Sequence, residues 1–449
     1  MSQKYLIKNI FVASDDCYDY YDVLIEPPYI SRIEKTIDDI KSNVIEINGE
    51  GKILMPGMID DQVHFREPGL THKGEIYTES KASVAGGITS YMEMPNTQPP
   101  AITLEELEKK YQIAQQKSLA NFSFYLGTTN DNIEELLKAD YSKICGVKIF
   151  MGSSTGNLLV DDPKAIENIF ANCNALIATH CEDDNIIKQN RDKITEEYGF
   201  DLSTYFHPII RNADACYASS KFAVETARKY NTRLHILHIS TAKELSLFTN
   251  QIPLKEKRIT AEACIHHLWF TDEDYERLGN KIKWNPAIKS AYDRDKILGA
   301  VNNDIIDVIA TDHAPHTIEE KNKPLLEAPS GGPLVQHALL ALFDLYHQKK
   351  ISLETIVKKT SHNVADMFQI PYRGYIREGY FADVVIIDLH TTTPVTKESL
   401  LYKCQWSPFE GHSFQSKIEK TFVNGHLVYD NGVFDESQKG VRLEFDRKN

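Results

Sequence analysis

Residues 59–69 read IDDQVHFREPG and follow the apolar run ILMPGM (53–58). In an extended strand, residues two apart share a face. Asp60, Gln62, His64 and Arg66 are therefore expected to point one way, with Ile59, Val63 and Phe65 opposite. An acid, an amide, an imidazole and a guanidinium in one line suit chemistry better than packing. Similar groups recur downstream: Asn96 in EMPNTQPP, Lys148 in GVKIFMG, His180 in ATHCED, His238 in LHIS, and Asp312 with His316 in ATDHAPH. Imidazole nitrogen and carboxylate oxygen suit zinc-like ions. The lysine is the odd member, because an ammonium has three donors and no lone pair for a metal. It becomes a ligand only when neutral or modified, and a carbamate formed with CO₂ would offer two oxygens able to bridge two cations. Taken singly, each residue has a plainer role: a hydrogen-bonded core histidine, a helix-capping Asp312, or a Lys148 that reaches solvent along apolar surface. His235, His266, His267 and His313 are read in that structural way. Placement on several strand ends at once favours the chemical reading for the others.

Those groups need elements that bring them together. At 449 residues the chain exceeds the size at which one core usually stops growing. Residues 4–54 show short apolar runs between turn signals, as expected for small β structure. Beyond them, strand candidates at 58–65, 89–94, 121–128, 145–151, 175–181, 233–240, 258–264 and 306–312 alternate with helical stretches such as 103–119 and 214–230. Eight such strands predict a parallel sheet closed as a (β/α)₈ TIM-like barrel, whose sites collect at the C-terminal strand ends. An open doubly wound sheet is the alternative, but no GxGxxG or phosphate-loop fingerprint supports it. The expected division is a barrel over 55–369 and a small β-sandwich domain composed of 1–54 and 370–449, the polar tail included.

A net charge of −14 disfavours nucleic acid or an anionic membrane as partner. Seven cysteines are scattered without a CxxC pair, and MSQKYLIKNIFVA lacks the features of a secretory signal. No apolar stretch approaches the ~18 residues of a membrane span. The expectation is a cytoplasmic protein with reduced thiols.

The segments MPGMIDDQVHFREPG, MPNTQPP, GVKIFMG, THCED, HIS, WNPAIKS, ATDHAPH and REGYFADVVIID together resemble the amidohydrolase superfamily and, within it, the dihydroorotases. The resemblance spans nearly the whole chain and implies a metallo-hydrolase barrel beside a β-sandwich from both chain ends. It implies zinc, one or two ions per subunit, on His64, Lys148 (carbamylated), His180, His238 and Asp312. It assigns Asp312 as catalytic base and Arg66, Asn96, Asn285, His316 and Gly331 to the substrate. The activity implied is the reversible reaction between L-dihydroorotate and N-carbamoyl-L-aspartate in pyrimidine synthesis. A guanidinium fork matches the carboxylate that hydantoins and dihydropyrimidines lack. Other cyclic amidohydrolases, and a non-catalytic structural partner, are the competing readings. A homodimer or higher oligomer is expected, with association to aspartate carbamoyltransferase left open.

Two departures from the family pattern stand out. Gln62 replaces the first histidine of the usual HxH, so the more exposed of two metal positions is expected to be weak or lost. Lys148 follows the lysine-using branch rather than the aspartate common among long-chain relatives. Asp60 is expected to orient ligands, and Asp61, on the other face, receives no role. The loops 152–162 and 315–332 are expected to cover the site.

Overall fold

The computed structural model describes residues 3–15, 17–40, 43–152 and 158–447. Five N-terminal strands come first: β1 (Lys4–Ser14), β2 (Cys17–Glu26), β3 (Tyr29–Glu34), β4 (Val44–Asn48) and β5 (Ile53–Pro56). Eight barrel strands follow, each within a residue or so of an expected segment or inside it. They are β6 (Met58–Val63), β7 (Ile88–Glu93), β8 (Asn121–Gly127), β9 (Gly146–Phe150), β10 (Ile177–His180), β11 (Leu234–Ile236), β12 (Ile259–Cys264) and β13 (Val308–Ala310). They pair in parallel in strict chain order from β6 to β13.

Strand alternation sorts the side chains. Phe122, Phe124, Leu126, Val147, Ile149 and Ile236 join the cluster that includes Leu107, Tyr111 and Ala114 of one crossover helix and Ile166, Ile169 and Phe170 of another. Ile59, Tyr125, Leu176 and Val308 instead belong to a separate cluster inside the barrel. The helices start where their sequences say they should. Thr103 accepts from Glu106 N ahead of Leu104–Lys117, and Asn212 accepts from Ala215 N ahead of Ala213–Tyr230.

The first and last strands meet at a seam. His64 N donates to His313 O at 2.7 Å, and Val63 and His313 form a parallel bridge. Beside it, Thr311 N and Thr311 Oγ1 both donate to the Asp60 carboxylate, at 3.1 and 2.6 Å. Here the simple two-residue alternation fails. Pairing of β6 with β7 shifts register between Met58 and Ile59 and again between Asp60 and Val63. Such irregularities re-aim side chains. Asp60 therefore turns to the seam instead of pointing with Gln62. Asp61 enters the barrel interior, within 3.2 Å of His235 on β11, rather than lying on the outer face. Ile59 packs inside while Val63 and Phe65 pack outside.

The remaining strands are β14 (Val384–Asp388), β15 (Thr393–Pro394), β16 (Ser413–Phe414), β17 (Lys417–Val423), β18 (His426–Asp430) and β19 (Val433–Phe434). With β1–β5 they form a separate nine-stranded, mostly antiparallel sheet from both chain ends, except that β15 and β16 pair only with each other. The tail after Gly440 leaves this sheet. It makes one bridge, Phe122 with Arg442, and inserts Leu443 and Phe445 into the lower barrel interior.

Candidate active site

The C-terminal strand ends converge as the sequence requires. His180 ends β10 and Lys148 lies within β9, while His64, His238 and Asp312 sit one or two residues beyond β6, β11 and β13. These five, with Arg66, Asn96, Asn285, His316 and Gly331, all line one pocket of about 380 Å³. The structure thus brings together every residue expected at the site. Arg66, His238 and Asp312 hold positive φ values of 72°, 38° and 49°. Left-handed backbone is costly for non-glycine residues and clusters where surrounding structure enforces it. Gly331, at φ 123°, approaches so closely that a Cβ would lie 2.6 Å from Ala314 O.

Two of the metal-type histidines, His64 and His180, have orienting partners. His64 Nδ1 lies 2.7 Å from Asn96 Oδ1, so it donates there and leaves Nε2 facing Asp312 Oδ1 at 3.2 Å. Asn96, expected on substrate, thus also fixes a histidine. His180 Nε2 lies 3.0 Å from the Glu182 carboxylate, which Arg211 holds in turn. That leaves His180 Nδ1 facing His238 Nε2 at 3.0 Å. Carboxylate–histidine pairs of this kind set the tautomer of metal ligands. The sequence reading assigns Glu182 no role, although the HxE spacing in THCED is its signal.

The electrostatics are those of a buried site short of partners. Lys148 Nζ has no hydrogen-bond partner among the described residues and lies only over the Phe150 ring, 4.7 Å from its centroid. Burial pulls its pKa down to about 7. Burial also pushes the Asp312 carboxyl up to about 7, against the pull of Lys148, His180 and Arg66. Burial holds His64 and His238 well below the ordinary imidazole range. His238 Nδ1, like Lys148 Nζ, is buried and without a partner among the described residues. Neutral imidazoles, an uncharged amine and an acid with unmet polar atoms fit a dication.

Gln62 donates to Asp312 Oδ1 at 3.2 Å, and its own oxygen lies 3.7 Å from Cys264 Sγ. At 1 % exposure it lies deeper than His64 at 9 %.

The part of the pocket wall formed by Arg66 and Lys73 is cationic. Arg66 is fully enclosed, with Nε on Pro315 O at 3.0 Å and Nη2 3.0 Å from His316 Nε2. Lys73, absent from the sequence reading, donates to His316 Nδ1 at 3.1 Å and pairs with Glu320. Asn285 accepts from Ser330 Oγ at 2.9 Å. The loop 315–332 supplies His316, Pro329, Ser330 and Gly331 to the wall. Residues 153–157 of the other expected covering loop lie outside the described residues. The histidines read as structural are so placed: His313 bridges Glu79 and Leu334 N, His266 stacks on Trp284, and His267 donates to Pro286 O. His235 is the exception considered below.

Fold and site define a barrel hydrolase, and the chain belongs to the Amidohydrolase family, which it matches over residues 53–428. Within that family its similarity is to dihydroorotases. It is 33% identical to the dihydroorotase of Methanosphaera stadtmanae over 94% of this chain and 96% of that one. To the dihydroorotase of Carboxydothermus hydrogenoformans it is 34% identical, over 94% and 97%. Among solved structures, the L-hydantoinase (dihydropyrimidinase) from Arthrobacter aurescens matches with a TM-score of 0.92 and 26% identity, covering 99% of this chain and 100% of that one.

Proposed function

We propose that this protein is a zinc-dependent dihydroorotase, interconverting L-dihydroorotate and N-carbamoyl-L-aspartate in the de novo synthesis of pyrimidines (UMP). The observation that carries the reading is the buried Arg66, beside His316 and reinforced by Lys73 in the pocket wall. A ring that bears a carboxylate suits that wall, and a neutral hydantoin or dihydrouracil would leave the guanidinium buried without a counter-charge.

His64, His180, His238, Asp312 and a carbamylated Lys148 would hold the metal. A dication there supplies a lowered water pKa and a polarised ring carbonyl. The chain's own groups do the rest. In hydrolysis, Asp312 takes a proton from the attacking water as its oxygen adds to the ring amide carbon. The amide C–N bond then breaks, and Asp312 returns the proton to the departing ring nitrogen. Arg66, Asn96, Asn285 and His316 hold the substrate, so that binding becomes orientation. A Lys148 amine held near neutrality is nucleophilic toward CO₂; its nitrogen bonds to the carbon and releases one proton. The reading carries with it a cytoplasmic location, which seven cysteines without a disulfide suit, and a homo-oligomer.

The test is turnover of L-dihydroorotate, hydantoin and dihydrouracil by the purified, metal-analysed protein. Dihydroorotate hydrolysis that exceeds the neutral rings by at least about 100-fold, and that a chelator abolishes, supports the reading. Equal or better turnover of a neutral ring would move the protein to the hydantoinase type. No turnover of any ring, without bound zinc, would favour a non-catalytic partner.

A further inference from the structure

Below the pocket, on β6, β11 and β12, lies a second polar layer. Asp61 of β6, His235 of β11 and Glu262 of β12 are each 0 % exposed, and none lines the pocket. Charged groups this deep need partners. His235 Nδ1 lies 2.8 Å from Thr260 Oγ1, and that hydroxyl spends its single proton on Leu234 O at 3.3 Å. The Nδ1 atom is therefore the donor, which leaves Nε2 as the free position. Nε2 faces Asp61 Oδ2 at 3.2 Å and Glu262 Oε2 at 3.7 Å. Yet Nε2, Glu262 Oε2 and both Asp61 carboxylate oxygens have no hydrogen-bond partner among the described residues. Glu262 Oε1 is committed elsewhere, accepting from His238 N at 2.8 Å and Cys264 Sγ at 3.2 Å.

We propose that Asp61, His235 and Glu262 form a structural divalent-cation site, distinct from the pocket above it. One atom from each lies within 4.8 Å of the other two. Bonds of about 2.0 Å to a tetrahedral ion put ligand atoms about 3.3 Å apart, close to the spacings seen at Nε2. One imidazole and two carboxylates suit a zinc-class ion, with Nδ1 donating to an acceptor as metal-bound histidines do. Charge points the same way. A dication would balance two carboxylates, whereas a proton on His235 leaves one in excess. The ion would join β6, β11 and β12, and through Glu262 would brace the left-handed backbone of His238.

The test is metal content per chain, which does not depend on turnover of any substrate. After prolonged dialysis against a chelator, the folded wild-type protein should retain one dication per chain. Asp61→Asn and Glu262→Gln should each lose it. A crystal of the dialysed protein should give an anomalous peak at the metal edge among the three side chains. Loss of all metal from dialysed wild type, or no peak there, overturns the site and assigns the position to a proton between His235 and the carboxylates. The anomalous map decides even if the variants fail to fold. Either result leaves the dihydroorotase proposal standing or falling on its own assay.

Discussion

Asp312 is touched by Gln62 and His64 on one oxygen, and Trp284 Nε1 approaches its backbone carbonyl at 3.4 Å. Replacing it by asparagine keeps the shape and removes the proton acceptor. Asp312→Asn should lower turnover by at least about 100-fold, with ligand affinity changed only a few-fold. Calorimetry of ligand binding beside the steady-state rate separates the two; a fully active variant removes Asp312 as base. Glu182→Gln tests orientation instead. It weakens the charge on His180 Nε2, so zinc affinity should fall about 10- to 100-fold in chelator competition. Lys148 carries the pH signature. With its pKa near 7, the neutral amine fraction grows as pH rises through that value and then levels off. At a fixed concentration of dissolved CO₂, reactivation of CO₂-depleted protein should accelerate toward about pH 7.5 and plateau; a rate still climbing tenfold per pH unit above 8 would refute the depressed pKa. At this scale much was legible, because metal-ligand types and an arginine two residues after a histidine are visible in a string. Glu182 and Lys73 were not, since a carboxylate beside a histidine and a lysine in a loop have many commoner uses. The left-handed backbone at Arg66, His238 and Asp312 leaves no residue-type signal at all.

The strands themselves follow from apolar runs and their spacing, which is why all eight fall where expected. What periodicity cannot convey is an interruption of periodicity. The register shifts in β6 exchange the faces of Asp60 and Asp61, and no glycine or proline within 58–63 announces them. Their consequence is the seam, where Asp60 holds Thr311 directly before Asp312. Thr311→Val removes the 2.6 Å hydroxyl donor but keeps the bulk. It should cost about 1–3 kcal/mol, the penalty of leaving a buried acceptor short of a partner. Chemical denaturation measures that loss, and turnover should fall with it because the strand end that carries Asp312 loosens. Unchanged stability would mean that the backbone bridges alone close the barrel.

Across the whole molecule, the barrel is sealed at its floor by a segment from the far end of the chain. After Gly440, Leu443 N donates to Phe122 O at 2.9 Å, and Phe445 N donates to Ser142 O at 2.9 Å. Arg447 then donates to the carbonyls of Ile144, Cys145 and Phe368. Polar composition hides this in the sequence, because only two apolar side chains, Leu443 and Phe445, two residues apart in GVRLEFDRKN, enter the floor. Leu443 is 0 % exposed and sits with Ile59, Leu176 and Val308 at the N-terminal ends of the strands, opposite the pocket. Leu443→Ala opens a void there and should cost about 2–5 kcal/mol. The urea midpoint should drop accordingly, while kcat of the protein that remains folded stays within about twofold of wild type, since the floor touches neither Asp312 nor the substrate wall. If stability is untouched, the tail only rests on the barrel; if kcat falls while stability holds, floor and mouth are mechanically linked through the polar layer of Asp61, His235 and Glu262 that lies between them.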